Sequence, residues 1–185
     1  MNTIRRALLV ALATVVLVAP ARAEEARTRS YALPDHGTLQ LTVPVSWKEE
    51  IQQPPNRLPP TILFNQDKGP AFAVYVTPMW RTRPDAPEVT ADVLKQLVQK
   101  ATEMAKPKAV ERTLEVKAVK GTSGPGYYFS ATDRAPAPGE FKYLTHGTIR
   151  IGVIVAGFTI LTNDGQDDVV SAAIAMMAAA IHTGQ

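Results

Sequence analysis

The most apolar run beyond the extreme N-terminus is Gly152-Val-Ile-Val-Ala-Gly-Phe-Thr-Ile-Leu161. It is rich in β-branched residues and about half the roughly 20 residues that a membrane-spanning helix needs, so it reads as a strand. Both of its alternating sets are apolar: Val153, Val155 and Gly157 on one, Ile154, Ala156, Phe158 and Ile160 on the other. A strand that buries both faces belongs in the middle of a sheet covered on both sides. The chain leading into it from residue 141 predicts a hairpin partner, with the turn near Arg150-Ile-Gly152. Asn163-Asp-Gly165 ends the run, and a closing helix follows from about 164–166. Val170, Ile174, Met177 and Ile181 recur there at helical spacing, and Asp167 and Asp168 favour its positive end.

Residues 24–29 are polar and read as a flexible tail, ahead of a domain over 30–185. Residues 30–34 and 38–44 read as two strands around the turn Asp35-His36-Gly37, with Leu39, Leu41 and Val43 alternating against Thr38, Gln40 and Thr42. An edge strand over 48–53 follows, and then the stiff loop 54–60 with its four prolines. Ile62 and Phe64, then Phe72, Val74 and Val76, mark a hairpin around Asp67-Lys-Gly-Pro70. The loop 78–88 carries Trp80, Arg81 and Arg83. Thr90 caps a helix that Pro107 stops, with a buried stripe of Leu94, Leu97, Val98, Ala101 and Met104 or Ala105. Strands over 113–120 and 127–132 flank the turn 121–126, and Tyr127, Phe129 and Ala131 share one face. Strands joined by tight turns are antiparallel neighbours. The reading is α+β: one domain, a twisted antiparallel sheet flanked by helices.

The N-terminus changes the charge argument. Arg5-Arg6, an apolar run from Ala7 to Val18, and Ala21 and Ala23 at the −3 and −1 positions make a secretory signal peptide over 1–23, cleaved after Ala23. Ile4 ahead of the arginine pair and the strong hydrophobicity of the run favour the general pathway over the twin-arginine one. The whole chain has 20 basic and 17 acidic residues; without Arg5, Arg6 and Arg22 the balance is 17 to 17. The basic excess therefore belongs to the leader and argues for neither nucleic acid nor an anionic membrane as partner. The chain has no cysteine, which excludes disulfides, thiolate metal sites, cysteine nucleophiles and lipid attachment at a cysteine after the leader. A periplasmic protein held together by its apolar core fits this composition.

Gly37-Thr-Leu-Gln-Leu-Thr-Val-Pro44-Val-Ser-Trp47 has the form glycine, alternating strand, proline, two residues, tryptophan. With the order of elements after it, roughly residues 31–182 resemble the PsbP-like superfamily of α/β/α sandwiches, which includes DcrB-type bacterial envelope proteins. The resemblance implies a non-enzymatic module that binds or stabilises a partner. Pro44 and Trp47 are its structural marks, and it transfers no functional residue.

Common chemistries are missing. The glycines of 121–126 have phosphate-loop spacing, but Tyr127 stands where lysine is required, and Pro125 spoils a nucleophile elbow at Ser123. His36, His146 and His182 are scattered, without metal-ligand spacing, so no metal or cofactor is expected. The stretch 163–168 lacks the ligand pattern of a calcium loop. Glu49-Glu50 are neighbours on a strand and point to opposite faces, so they are no glycosidase pair. What remains is Trp80 with Arg81 and Arg83 in a proline-framed loop, residue types enriched at recognition surfaces; the competing reading makes Trp80 a plug at the edge of the sheet. The expected function is an exported, non-catalytic binding or accessory protein that recognises a protein or envelope component through its loops. The alternatives are a small-ligand carrier with a pocket between sheet and helix, and a hydrolase assembled from distant residues such as His36, His146 and Asp133.

Overall fold

The computed structural model describes residues 25–55, 58–81 and 87–184; the expected leader lies outside them. The elements in order are β1 (Ala26–Ala32), β2 (Thr38–Pro44), β3 (Lys48–Gln52), β4 (Thr61–Asn65), β5 (Ala73–Met79), α1 (Ala91–Ala105), β6 (Lys117–Lys120), β7 (Pro125–Thr132), β8 (Tyr143–Ile151), β9 (Ile154–Thr162), α2 (Asp167–Ala178) and β10 (Ile181–Thr183). The apolar run is β9, and it is the fourth of seven antiparallel strands in the order β3-β4-β5-β9-β8-β7-β6.

The remaining strands form a second sheet, β1-β2-β10, where the sequence had predicted one. The change of sheet happens at Pro44. Beyond it the Trp47 N–H reaches back to the Pro44 carbonyl (3.1 Å), and the indole is buried between Phe64 and Phe72. The motif that carries the family resemblance is therefore the crossing point between layers. β1 begins at Ala26, inside the stretch read as a tail, because 26–29 pair with 41–44 of β2.

Pairing register sorts the seven-stranded sheet into two faces. The inner face carries Ile62, Phe64, Val74, Val76, Ile149, Ile154, Ala156, Phe158 and Ile160. It packs on Leu39, Leu41 and Val43 of β2 and on Ala173, Met176 and Met177 of α2 in one core. Gly147 makes this possible: a Cβ there would fall 2.5 Å from the Phe158 ring. Among the described residues, the outer face is covered at one side only. There α1, capped by the Thr90 hydroxyl as expected, buries Leu94, Val98 and Thr102, and Val98 packs with Phe129, Ala131, Ala109 and Leu114 in a second core. Leu97 and Met104, expected in the buried stripe, are exposed, because α1 rests on β7 and β8 and touches the sheet along a narrow arc. Tyr75, Thr77, Gly157 and Thr159 on the outer face of β5 and β9 are consequently only half-buried, so β9 is not enclosed on both sides along its length.

Three smaller differences have local causes. Pro78 lies within β5 rather than in the following loop; it sits past the last β4 pair, Ile62 with Val76, where its missing N–H costs no ladder bond on that side. Residues 113–116 are irregular, and the strand begins only at Lys117. Ile181 belongs to β10 rather than to α2 and is part-exposed, since the helix stops at Ala178 and the chain turns back to pair with β2.

Candidate functional site

The uncovered side of the outer face ends in a groove of about 240 Å³. Met79, Val155 and Arg150 stand in one row across β5, β9 and β8, because register places them opposite one another. Val93 and Leu97 form a wall from α1, and Val153 in the β8–β9 turn closes one end. This is where the surplus apolar residues of the helix go: Met79 is 39% exposed, Val93 42%, Leu97 45% and Val153 66%. Contiguous exposed apolar surface of this kind marks an interaction site far more often than isolated side chains do.

Trp80 and Arg81 belong to the rim of this groove, where β5 ends. The Trp80 ring is half-buried against the main core and stacks on the His36 imidazole, with centroids 4.4 Å apart and planes 30° apart. Arg81 is exposed. Arg83, the third residue of the expected patch, lies outside the described residues. The second cation of the groove is Arg150, missed in the sequence because nothing local marks it. Its Nη1 is 4.0 Å from Glu88 Oε2, and its Nε is shut off from solvent without a hydrogen-bond partner among the described residues.

The histidines do not gather. His36, in the β1–β2 turn, accepts a hydrogen bond from His182 Nε2 through its carbonyl (2.7 Å). His146 lies on the outer face of the large sheet, bonded to the Thr159 hydroxyl (2.9 Å) and edge-on to Phe129, and burial pushes its pKa down. Asp133 follows β7 at the end where Thr132 pairs with Tyr143, and its carboxylate caps the Ala135 N–H (2.9 Å). The residues proposed for a hydrolase thus stand in separate places. No group of three or more potential metal ligands occurs among the described residues.

Two polar clusters are structural. Arg29 of β1 donates to Glu49 of β3 (2.8 Å) and to the Trp47 carbonyl (2.8 Å), while the Tyr31 hydroxyl donates to the same Glu49 carboxylate. Burial pushes the Glu49 carboxyl up, but the Arg29 and Tyr31 hydrogen bonds outweigh it and hold the group below the ordinary carboxylate range. Burial, followed by the bond to Glu49, pushes the Tyr31 phenol far up, so it remains protonated. The trio clips the two sheets together. At the other end of the large sheet a polar cleft of about 320 Å³ is lined with hydroxyls and carboxylates that bond one another. Ser130 meets Thr145 (2.8 Å), Glu111 accepts from the Thr132 N–H and hydroxyl (2.9 and 2.7 Å), and Tyr143 and Lys142 hold Asp164.

No helix among the described residues is long and apolar enough to cross a membrane. No protein-family model matches the chain, and no curated protein does. Among solved structures it is similar to the solution structure of cyanobacterial PsbP (CyanoP) from Synechocystis sp. PCC 6803. That match has a TM-score of 0.45 at 11% sequence identity, and covers 90% of this chain and 99% of the other.

Proposed function

We propose that this chain is an exported, non-catalytic binding protein of the periplasm, cleaved after Ala23, and that it recognises a protein or envelope component at the groove beside α1. The observation that carries the reading is the concentration of exposed apolar side chains around one groove whose rim holds Trp80 and Arg81. Tryptophan and arginine are the types most enriched where binding energy concentrates. The leader and the cysteine-free composition support export.

The test is affinity capture of the mature protein from its native periplasm, with wild type and variant compared per folded molecule. Trp80 is half-buried against the core, so replacing it would mix recognition with folding. Leu97→Glu combined with Arg81→Ala touches only exposed positions. This double variant is expected to melt within about 4 °C of wild type, since changes at exposed positions stay near ±0.5 kcal/mol each. Its capture should weaken by about 2 kcal/mol or more, roughly thirtyfold. Undiminished capture by a folded double variant would overturn the reading.

A further inference from the structure

We infer that the groove is one end of a longer trough beside α1, and that this trough receives an amphipathic helix of a partner protein. The inference rests on the groove being the recognition surface, and it names the structural class of partner read there.

The elements beside the trough set its width and length. α1 rests on β7 and β8, which leaves the outer side of β9 and β5 open among the described residues. Two strands at ~4.8 Å spacing span about 10 Å, the diameter of one helix. Beyond them the outer face turns polar: register places Thr61, Asn65, Lys48, Glu50 and Gln52 there around Leu63. Along the wall, Val93, Leu97, Lys100 and Met104 recur at i, i+4, i+7 and i+11 of α1. They fall within about 60° of one another and extend over about 16 Å. Val93 and Leu97 already line the groove. Met104, three turns from Val93, is 76% exposed, the most exposed large apolar side chain among the described residues. A straight apolar stripe of this period matches the stripe of a second helix laid alongside.

The floor allows close approach. The Thr77 hydroxyl bonds that of Thr61 (2.9 Å) and the Thr159 hydroxyl bonds His146 (2.9 Å), so neither needs an acceptor or donor from an occupant. Gly157 lies opposite Thr77, on the central strand of the sheet. A glycine inside a strand weakens it, and it marks places where another backbone comes near. The packing of this chain does not require one here. Its φ is not left-handed, and an added Cβ would meet, among the described residues, Met79 Cε at 3.6 Å and the Thr77 carbonyl at 3.9 Å, which are ordinary contacts. Gly147 on the inner face is the contrast, since there a Cβ would fall 2.5 Å from the Phe158 ring. Close seating of a helix over β9 supplies the reason for Gly157 that the fold does not.

Other occupants fit less well. A peptide strand needs free backbone donors and acceptors along its path, but β5, β9 and β8 are interior strands with paired ladders. A second copy of this chain would have to bring one of its own helices. The outward side of α1 carries Asp92, Gln96, Gln99 and Glu103, all exposed, and burying them on this floor would strip their water without giving them partners. α2 is committed to the inner core through Ala173, Met176 and Met177. The occupant is therefore a helix from another protein.

The experiment uses the mature chain titrated with a hydrocarbon-stapled helical peptide of about 16 residues, with leucines at i, i+4, i+7 and i+11. Its background is alanine and glutamate, which suits the exposed Lys100 in the stripe. The control peptide has the same composition with the stripe scrambled. Binding is followed by calorimetry and by the resonances of Gly157, Leu97 and Met104. The striped peptide is expected to bind about tenfold or more tighter than the scrambled one, and Met104→Glu should weaken it about tenfold. Gly157→Val separates recognition from folding. Valine is the better strand residue, so the melting temperature should hold or rise while the striped peptide binds at least about tenfold more weakly. Gly157→Ala, the smaller change, should do the same to a lesser degree and serves if the valine variant does not fold. A lowered melting temperature with unchanged affinity per folded molecule would make Gly157 structural and overturn the inference. Equal affinity for the two peptides, or resonance changes away from the trough, would also overturn it. If neither peptide binds while the Leu97→Glu, Arg81→Ala variant still loses its captured partner, the helix seat is wrong and the recognition surface stands. If the striped peptide binds as stated while that variant captures normally, the helix seat stands and the captured partner is read elsewhere.

Discussion

Replacing Glu49 with glutamine separates charge from shape at the clip that joins the two sheets. The Glu49 carboxylate accepts from Arg29 and from Tyr31; the Arg29 side chain is 10% exposed and that of Glu49 35%. Glutamine keeps an acceptor oxygen at nearly the same place but makes it neutral. Hydrogen bonds to a charged group contribute about 1.5–3 kcal/mol and neutral ones about 0.5–1.5, so each of the two bonds should weaken by about 1 kcal/mol. Solvent reaches Glu49 and trims the ion-pair share, which leaves a net loss of about 1.5 kcal/mol. In a domain of this size that is a fall of about 3–6 °C in melting temperature. The pH dependence has a definite sign. The folded-state pKa of Glu49 is held down by its partners, so its stabilisation is complete above the ordinary carboxyl value of about 4.3 and is lost as pH falls through the lower folded value. Urea unfolding of wild type and Glu49→Gln at pH 7 and at pH 3 therefore gives a gap of about 1.5 kcal/mol that narrows in acid. A gap under about 0.3 kcal/mol at pH 7, or one that persists unchanged at pH 3, would refute the reasoning.

Trp47→Ala should cost about 3–5 kcal/mol in urea unfolding, because the indole fills the crossing point against Phe64 and Phe72; a loss below about 1 kcal/mol would contradict its place in the core. Burial lowers the folded-state pKa of His146, so the unfolded chain takes up that proton first and stability should fall as pH drops below about 6.5. The same fall should be smaller in His146→Asn, measured as the change in urea midpoint from pH 7.5 to 5.5. Intact-mass measurement on periplasmic extract is expected to find a chain beginning at Glu24 without lipid; a species retaining residues 1–23 would contradict export with cleavage.

Much of the secondary structure was legible because its causes are local. Alternation marks β2, β4 and β5, Thr90 and Pro107 bracket α1, and two apolar faces mark β9 as a central strand. The α+β class follows from those elements and their tight turns. What the tertiary structure decided is which surfaces meet. Periodicity shows that a helix has an apolar side, but not how wide an arc its neighbours will cover, so Leu94 and Leu97 look alike in the sequence while one is buried and the other lines a groove. Polarity made 26–29 resemble a tail, yet pairing with β2 and the Arg29–Glu49 clip hold part of it in a sheet. Trp80 and Arg81 were conspicuous by residue type alone, whereas Arg150 and Met79 became parts of a site only through the cross-strand register with Val155. Local backbone preferences act over a few neighbours and are written residue by residue. A groove is the gap left between elements far apart in the chain, and only their packing sets its position and shape.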